Sequence, residues 1–126
     1  MSEQDINAEI ILDHYRNPHN YGKIANATGS VTEYNPVCGD TIHIDILERD
    51  GKIEEIMFMG RGCSISQGSA SMLTDFVKGK SPEEIMKVGN EEYLHMLGLE
   101  LGPAREKCAL LPLNAMHNAL QERIRK

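Results

Sequence analysis

The 126-residue chain has no tryptophan and only two phenylalanines. Proteins that grip single-stranded nucleic acid stack bases on aromatic side chains, so this composition disfavours that class. A basic surplus is missing too. Thirteen Lys and Arg stand against nineteen Asp and Glu, a formal charge of −6 with His neutral. A phosphate backbone needs a positive face, and the one basic concentration, QERIRK at the end, contains a glutamate and fits the C-terminal end of a helix dipole. No apolar run approaches the roughly 20 residues that span a bilayer. The opening MSEQDINAEI has neither the basic-then-apolar order of a secretory signal nor the arginines of a transit peptide. A cytosolic protein without membrane or nucleic-acid partners is expected.

Several motifs are also absent. There is no Walker loop, no GxGxxG and no GxSxG. The cysteines number three, an odd count that argues against a disulfide framework. No CxxC pair marks a zinc ribbon, and a ferredoxin-type run needs a fourth cysteine. In a reducing compartment, such cysteines are metal ligands, nucleophiles or small buried side chains.

What is present is an ordinary globular composition, 40% apolar and 25% charged, on a length that suits one domain over residues 1–126. Residues 6–16 place Ile6, Ile10 and Tyr15 near helical spacing, with Asp5 as an N-cap and Asn17-Pro18 as the stop. Three strands follow. GSVTEYN is short, and TIHIDILER alternates with Ile42, Ile44 and Ile46 on one face. Asp50-Gly51 is a hairpin signal, and KIEEIMFMG returns from it with a less regular pattern. The second half reads as helix. One helix is predicted from Ser64 to Lys78. A second starts at the Ser81-Pro82-Glu83-Glu84 capping box and ends at Gly89, and a short third covers Glu91 to Leu97. The last spans roughly Ala104 to Ile124, with Pro112 kinking it or marking a later start. Strands first and helices second is an α+β order, with the helices expected on one face of a three-stranded antiparallel sheet.

The cysteines fall at the ends of these elements. Cys38 lies in the turn between the first two strands, in Asn35-Pro36-Val37-Cys38-Gly39-Asp40. Cys63 lies between the third strand and the long helix, and Cys108 near the start of the last helix. In a meander, the first turn and the exit of the third strand can share one end of the sheet, so Cys38 and Cys63 should be neighbours. Asp40 follows Cys38 by two residues, where its carboxylate can complete a tetrahedral set with three thiolates or simply cap a turn. His14, His19, His43, His95 and His117 show no paired ligand spacing and are expected to be structural or exposed. From the residues alone this is a three-thiolate site, with or without Asp40, for an unspecified metal.

At these residues the chain resembles the U-type iron–sulfur scaffold family, comprising IscU, SufU and the N-terminal domain of NifU. The resemblance runs from LDHYRNPHNYG through NPVCGD and GRGCSIS to the last cysteine. It implies a metal or cluster site formed by Cys38, Asp40, Cys63 and Cys108 at one end of the sheet. It also implies a [2Fe–2S] cluster as cargo, a cysteine desulfurase as sulfur donor and apo-proteins as acceptors. Cys38, Cys63 and Cys108 are then the candidate persulfide acceptors. The SufU branch implies the alternative, a zinc-dependent sulfurtransferase. IscU proteins usually carry a histidine before the third cysteine. Here it is Lys107, which is no ligand when protonated. The LPPVK segment read by a dedicated Hsp70-type chaperone is replaced by Leu101-Gly102-Pro103-Ala104-Arg105, so that partner is not expected. Arg105 either serves Asp40 and the site or is a solvated helix-end charge. GCSIS and the Arg105-x-Lys107-Cys108 run are SufU-like, yet the step from Cys63 to Cys108 is too short for the SufU insertion.

Overall fold

The computed structural model describes residues 2–36 and 39–124. Cys38, and the basic Arg125 and Lys126, lie outside the described residues. The element order is α1 (Glu3–Arg16), β1 (Gly29–Asn35), β2 (Asp40–Arg49), β3 (Lys52–Arg61), α2 (Ser64–Val77), α3 (Pro82–Met86), α4 (Asn90–Leu97) and α5 (Pro103–Ile124). The strands form an antiparallel sheet in the order β1-β2-β3, the α+β meander that the pattern predicts. Among the described residues, no helix is long and apolar enough to cross a membrane.

Asp50 and Gly51 both take positive φ, 55° and 77°, which is what a two-residue turn matching the right-handed strand twist requires. The irregular pattern of β3 has a physical cause. The register shifts between Leu47, opposite Glu55, and Glu48, opposite Ile53, leaving Glu54 as a bulge. The bulge turns both Ile53 and Ile56 into the core beside Ile42, Ile44, Ile46 and Phe58. α2 and α5 cover this face. Gly29 lets α5 come close, since a Cβ there would stand 2.7 Å from the Ala119 carbonyl. α1 packs on α2 at Gly68, where a Cβ would strike the Ile11 carbonyl at 2.5 Å.

Four local expectations change. Ser2, not Asp5, caps α1, and Asp5 closes the capping box from its third position. Ile6, Ile10 and Tyr15 are exposed while Ile11 is buried, because the main contact of α1 is with α2, along the face that carries Ile11. α3 stops at Met86, and Gly89 instead caps the start of α4. α5 runs through Pro112, which removes the N–H that would meet the Cys108 carbonyl. The local loss is overridden by burial of Ala109, Leu111, Leu113, Ala115, Met116, Ala119 and Leu120 along the same helix.

The opposite face of the sheet carries a buried carboxylate. Asp45 accepts from the Ile24 N–H at 3.0 Å, from His43 Nε2 at 2.8 Å and from Ser30 Oγ. Burial alone would push this carboxyl up, but the bonds from Ser30, Ile24 and His43 outweigh it and hold Asp45 below its ordinary range. Its contribution to stability is therefore whole above the unfolded value, about 3.9, and is lost as pH falls through the lower folded value. Asp45→Ala should cost about 1–3 kcal/mol in urea unfolding at pH 7, and the gap from wild type should narrow below about pH 4. A gap independent of pH would show that the charge on Asp45 plays no part.

Candidate metal centre

The site is built where the sheet ends. β1 and β2 pair up to Asn35 opposite Asp40, and the intervening turn is closed by the Gly39 N–H donating to the Asn35 carbonyl at 2.8 Å. Gly39 takes φ 74° there. Asp40 is thus the first residue of β2, and its side chain is covered, with 2% of the residue exposed. β3 ends beside it, since Thr41 pairs with Arg61. Two residues on, Cys63 is the N-cap of α2.

Gly62 is the hinge of this arrangement. Its φ is +146°, a region that L side chains rarely adopt, and a Cβ there would overlap the Asp40 carboxylate. Without that Cβ, Asp40 reaches Cys63 by two contacts. Oδ1 accepts from the Cys63 N–H at 3.3 Å, and Oδ2 lies 3.3 Å from Sγ. The Cys63 N–H is one of the donors that the start of α2 leaves outside the helix ladder, so the carboxylate satisfies a helix end while it touches the sulfur.

Cys108 arrives from the other side. It sits in the second turn of α5, is 6% exposed and belongs to the core cluster. One ligand atom each from Asp40, Cys63 and Cys108 lie within 4.8 Å of one another. The structure therefore brings together three of the four residues that the resemblance names, while Cys38 lies outside the described residues. Cys63 is exposed and Cys108 buried, so the two sulfurs approach one point from the surface and from the core. Two thiols and a carboxylate at this spacing suit a soft or borderline cation, and the donor chemistry fits zinc as well as iron–sulfur cargo.

The polar bed under Cys63 is not visible in the cysteine spacing. Ser66 Oγ donates to the Cys63 carbonyl at 3.2 Å and lies 3.9 Å from its sulfur, and Gln67 Nε2 donates to Ser66 Oγ at 3.0 Å. Both residues are buried. Gly60 makes room for this bed, since a Cβ there would meet Gln67 Oε1 at 2.7 Å. The signal in the sequence is the polar, small-residue opening of a helix whose remaining faces are buried. Arg105 and Lys107 are exposed on the first turns of α5. Among the described residues, the ion pairs join His19 to Asp75, His43 to Asp45 and Arg49 to Glu54, none of them at this site.

The two turn glycines give a direct test. Gly62→Ala adds a clash with Asp40 to an unfavourable φ and should cost about 1–3 kcal/mol. Gly39→Ala meets open space and should cost about 1 kcal/mol through its φ alone. Denaturant unfolding and zinc affinity of both variants check this, with the larger loss of both expected for Gly62→Ala.

Comparison with known proteins gives the family and the fold. The family model of the NifU-like N terminal domain matches residues 6–126. The iron-sulfur cluster assembly scaffold protein IscU 1 of Archaeoglobus fulgidus is 38% identical over 119 residues, covering 94% of this chain and 77% of that protein. The zinc-dependent sulfurtransferase SufU of Bacillus subtilis is 36% identical over 130 residues, covering 89% and 87%. Among solved structures, FiSufU from Fervidobacterium islandicum AW-1 superimposes with a TM-score of 0.77 at 30% identity, covering 94% of this chain and 99% of that one. The N-terminal part of a NifU-like protein from Brucella abortus has the same fold, with a TM-score of 0.81 at 20% identity over 98% and 97% of the chains. The chain belongs to the NifU-like N-terminal family, the U-type scaffolds of iron–sulfur cluster assembly.

Proposed function

We propose that this protein assembles a [2Fe–2S] cluster on Cys38, Asp40, Cys63 and Cys108 and passes it to acceptor apo-proteins. The observation that carries this reading is the convergence of Asp40, Cys63 and Cys108 within 4.8 Å, with one sulfur exposed and one buried. Sulfur comes from a cysteine desulfurase as a persulfide. One thiolate among Cys38, Cys63 and Cys108 attacks the outer sulfur, forms the new S–S bond, and the desulfurase thiolate leaves. An external donor supplies the two electrons that reduce each such sulfur to sulfide, and ferrous iron enters as the second substrate.

A scaffold must hold its cargo and also release it. Thiolates bind iron–sulfur clusters firmly, while a carboxylate is a harder and poorer partner for them. Asp40 is thus the weak ligand, and it already has a second occupation, the Cys63 N–H, to return to when the cluster leaves. Lys107 cannot replace it in its charged form. Arg105, exposed at the start of α5, would act by screening the charge of the loaded site.

The second reading, a zinc-dependent sulfurtransferase, is supported by the B. subtilis relative and by the same donor set. In it, Cys38, Asp40, Cys63 and Cys108 would hold zinc, which would keep the thiols deprotonated. The chain's own contribution is then an exposed thiolate that would take the outer sulfur of the desulfurase persulfide as the desulfurase thiolate leaves.

Reconstitution under anaerobic conditions with ferrous iron, cysteine, a desulfurase and dithiothreitol as the electron donor separates the two. Near-equal iron and sulfide per chain, transferable to an apo-ferredoxin, is the expected result. A colourless protein retaining one zinc and passing on persulfide without iron would establish the second reading instead. Asp40→Ala should keep its cluster longer and transfer it several-fold more slowly, and faster loss would remove Asp40 from the release step. Arg105→Ala should alter cluster retention without unfolding the chain, and an unchanged rate assigns Arg105 to the solvated surface.

A further inference from the structure

At the far end of α2 a second cluster of ligating side chains has formed that the thiol site does not use. His14 at the end of α1, His19 in the following turn and Asp75 on α2 each place one ligand atom within 4.8 Å of the others. Asp75 is twelve residues along α2 from Cys63, about 18 Å at 1.5 Å per residue. The two groups therefore cannot serve one centre.

The cluster is held from several directions. Ser71 Oγ lies 2.7 Å from His14 Nδ1 and accepts from the His19 backbone N–H at 2.8 Å. His19 Nδ1 lies 2.6 Å from Asp75 Oδ2. Asn20 Nδ2 donates to Asp75 Oδ1 at 2.9 Å, and Asn20 Oδ1 in turn accepts from Lys78 Nζ at 2.5 Å. The turn is tied down as well, through the Phe58 N–H to the Asn20 carbonyl and the Gly22 N–H to the Phe58 carbonyl, both 2.9 Å. The imidazoles lie with ring centroids 4.4 Å apart.

Two imidazoles and one carboxylate make the donor set of a divalent first-row cation with open positions for water. A metal-bound histidine also needs its other ring nitrogen fixed by an oxygen. Ser71 Oγ, 2.7 Å from His14 Nδ1, can be that oxygen, and in the tautomer with the proton on Nδ1 the Nε2 lone pair is open to a cation. His19 and Asp75 are each about half exposed, so an ion can enter. Burial, and then the neighbouring His19, push His14 below the ordinary histidine range, toward the neutral form that ligates. Asp13 and Asp75 add negative charge around His14, while Lys78 binds Asn20 beside them and Arg16 shares the last turn of α1.

We propose that His14, His19 and Asp75 form a second metal site, for a zinc-class or ferrous divalent cation, independent of the thiol centre. Binding replaces the direct His19–Asp75 contact with bonds to the ion. It clasps the end of α1 and the turn that follows to α2. The proposal does not rest on the assembly reading.

The test is a titration of the full chain with Zn²⁺ alone, followed by the ring ¹⁵N resonances of all five histidines. His14 and His19 should move together, at a stoichiometric step distinct from any thiol binding, while His43, His95 and His117 stay in place. His19→Ala should weaken that step by at least about tenfold, a floor set by the loss of mere outer-shell partners. Asp75→Asn, which keeps shape and size, should do so without relying on the histidine variant to fold. Repeating the titration anaerobically with Fe²⁺ decides which cation is preferred. Zinc binding that leaves the His14 and His19 rings unmoved, or that survives both substitutions undiminished, would overturn the proposal.

Discussion

The Asp40 carboxylate occupies the volume that a side chain at position 62 would need, and the candidate centre is arranged around that exclusion. With Gly62 in place, the end of β3 can fold over the start of β2, and α2 can begin with its first N–H directed at a carboxylate. The bond satisfies a helix end, seats the Cys63 sulfur against an anion and keeps Asp40 2% exposed. A buried carboxylate is costly unless its lone pairs are met. The site is thus a place where folding and ligand display use the same contact.

The rest of the fold delivers Cys108 to that point. α5 lies across β1 and β2 because Gly29 admits its backbone, and it continues through Pro112 because the buried residues on both sides of the proline outweigh one missing hydrogen bond. Cys108 stands four residues before the proline, in the buried second turn of α5. One sulfur therefore rides on the rigid core and the other on the exposed lip of α2. That is a suitable division for a centre that must take in cargo and let it go.

Much of this was legible in the residues. Alternation gave β2, Asp50-Gly51 the hairpin that leads into β3, and Ser81 with Glu84 the start of α3. The ends of the elements pointed to one end of the sheet for Asp40 and Cys63, while Cys108 came only from the family resemblance. Other features depend on contacts that no local pattern encodes. Which stripe of α1 is buried is decided by α2, so Ile11 goes in and Ile6, Ile10 and Tyr15 stay out. The bulge at Glu54 exists because both Ile53 and Ile56 gain from burial, which strict alternation forbids. The Ser66 and Gln67 bed, and the grouping of His14 and His19 with Asp75, join residues across the fold, and a search for paired histidine spacing passes over them.

The central claim is that sulfur and carboxylate from Asp40, Cys63 and Cys108, together with Cys38, meet at one cation. X-ray absorption at the zinc edge tests it most directly, on protein carrying one equivalent of zinc in a His19→Ala background that silences the histidine cluster. The account predicts three sulfurs at about 2.3 Å and one oxygen at about 2.0–2.2 Å. A shell of nitrogen and oxygen with fewer than two sulfurs would contradict it.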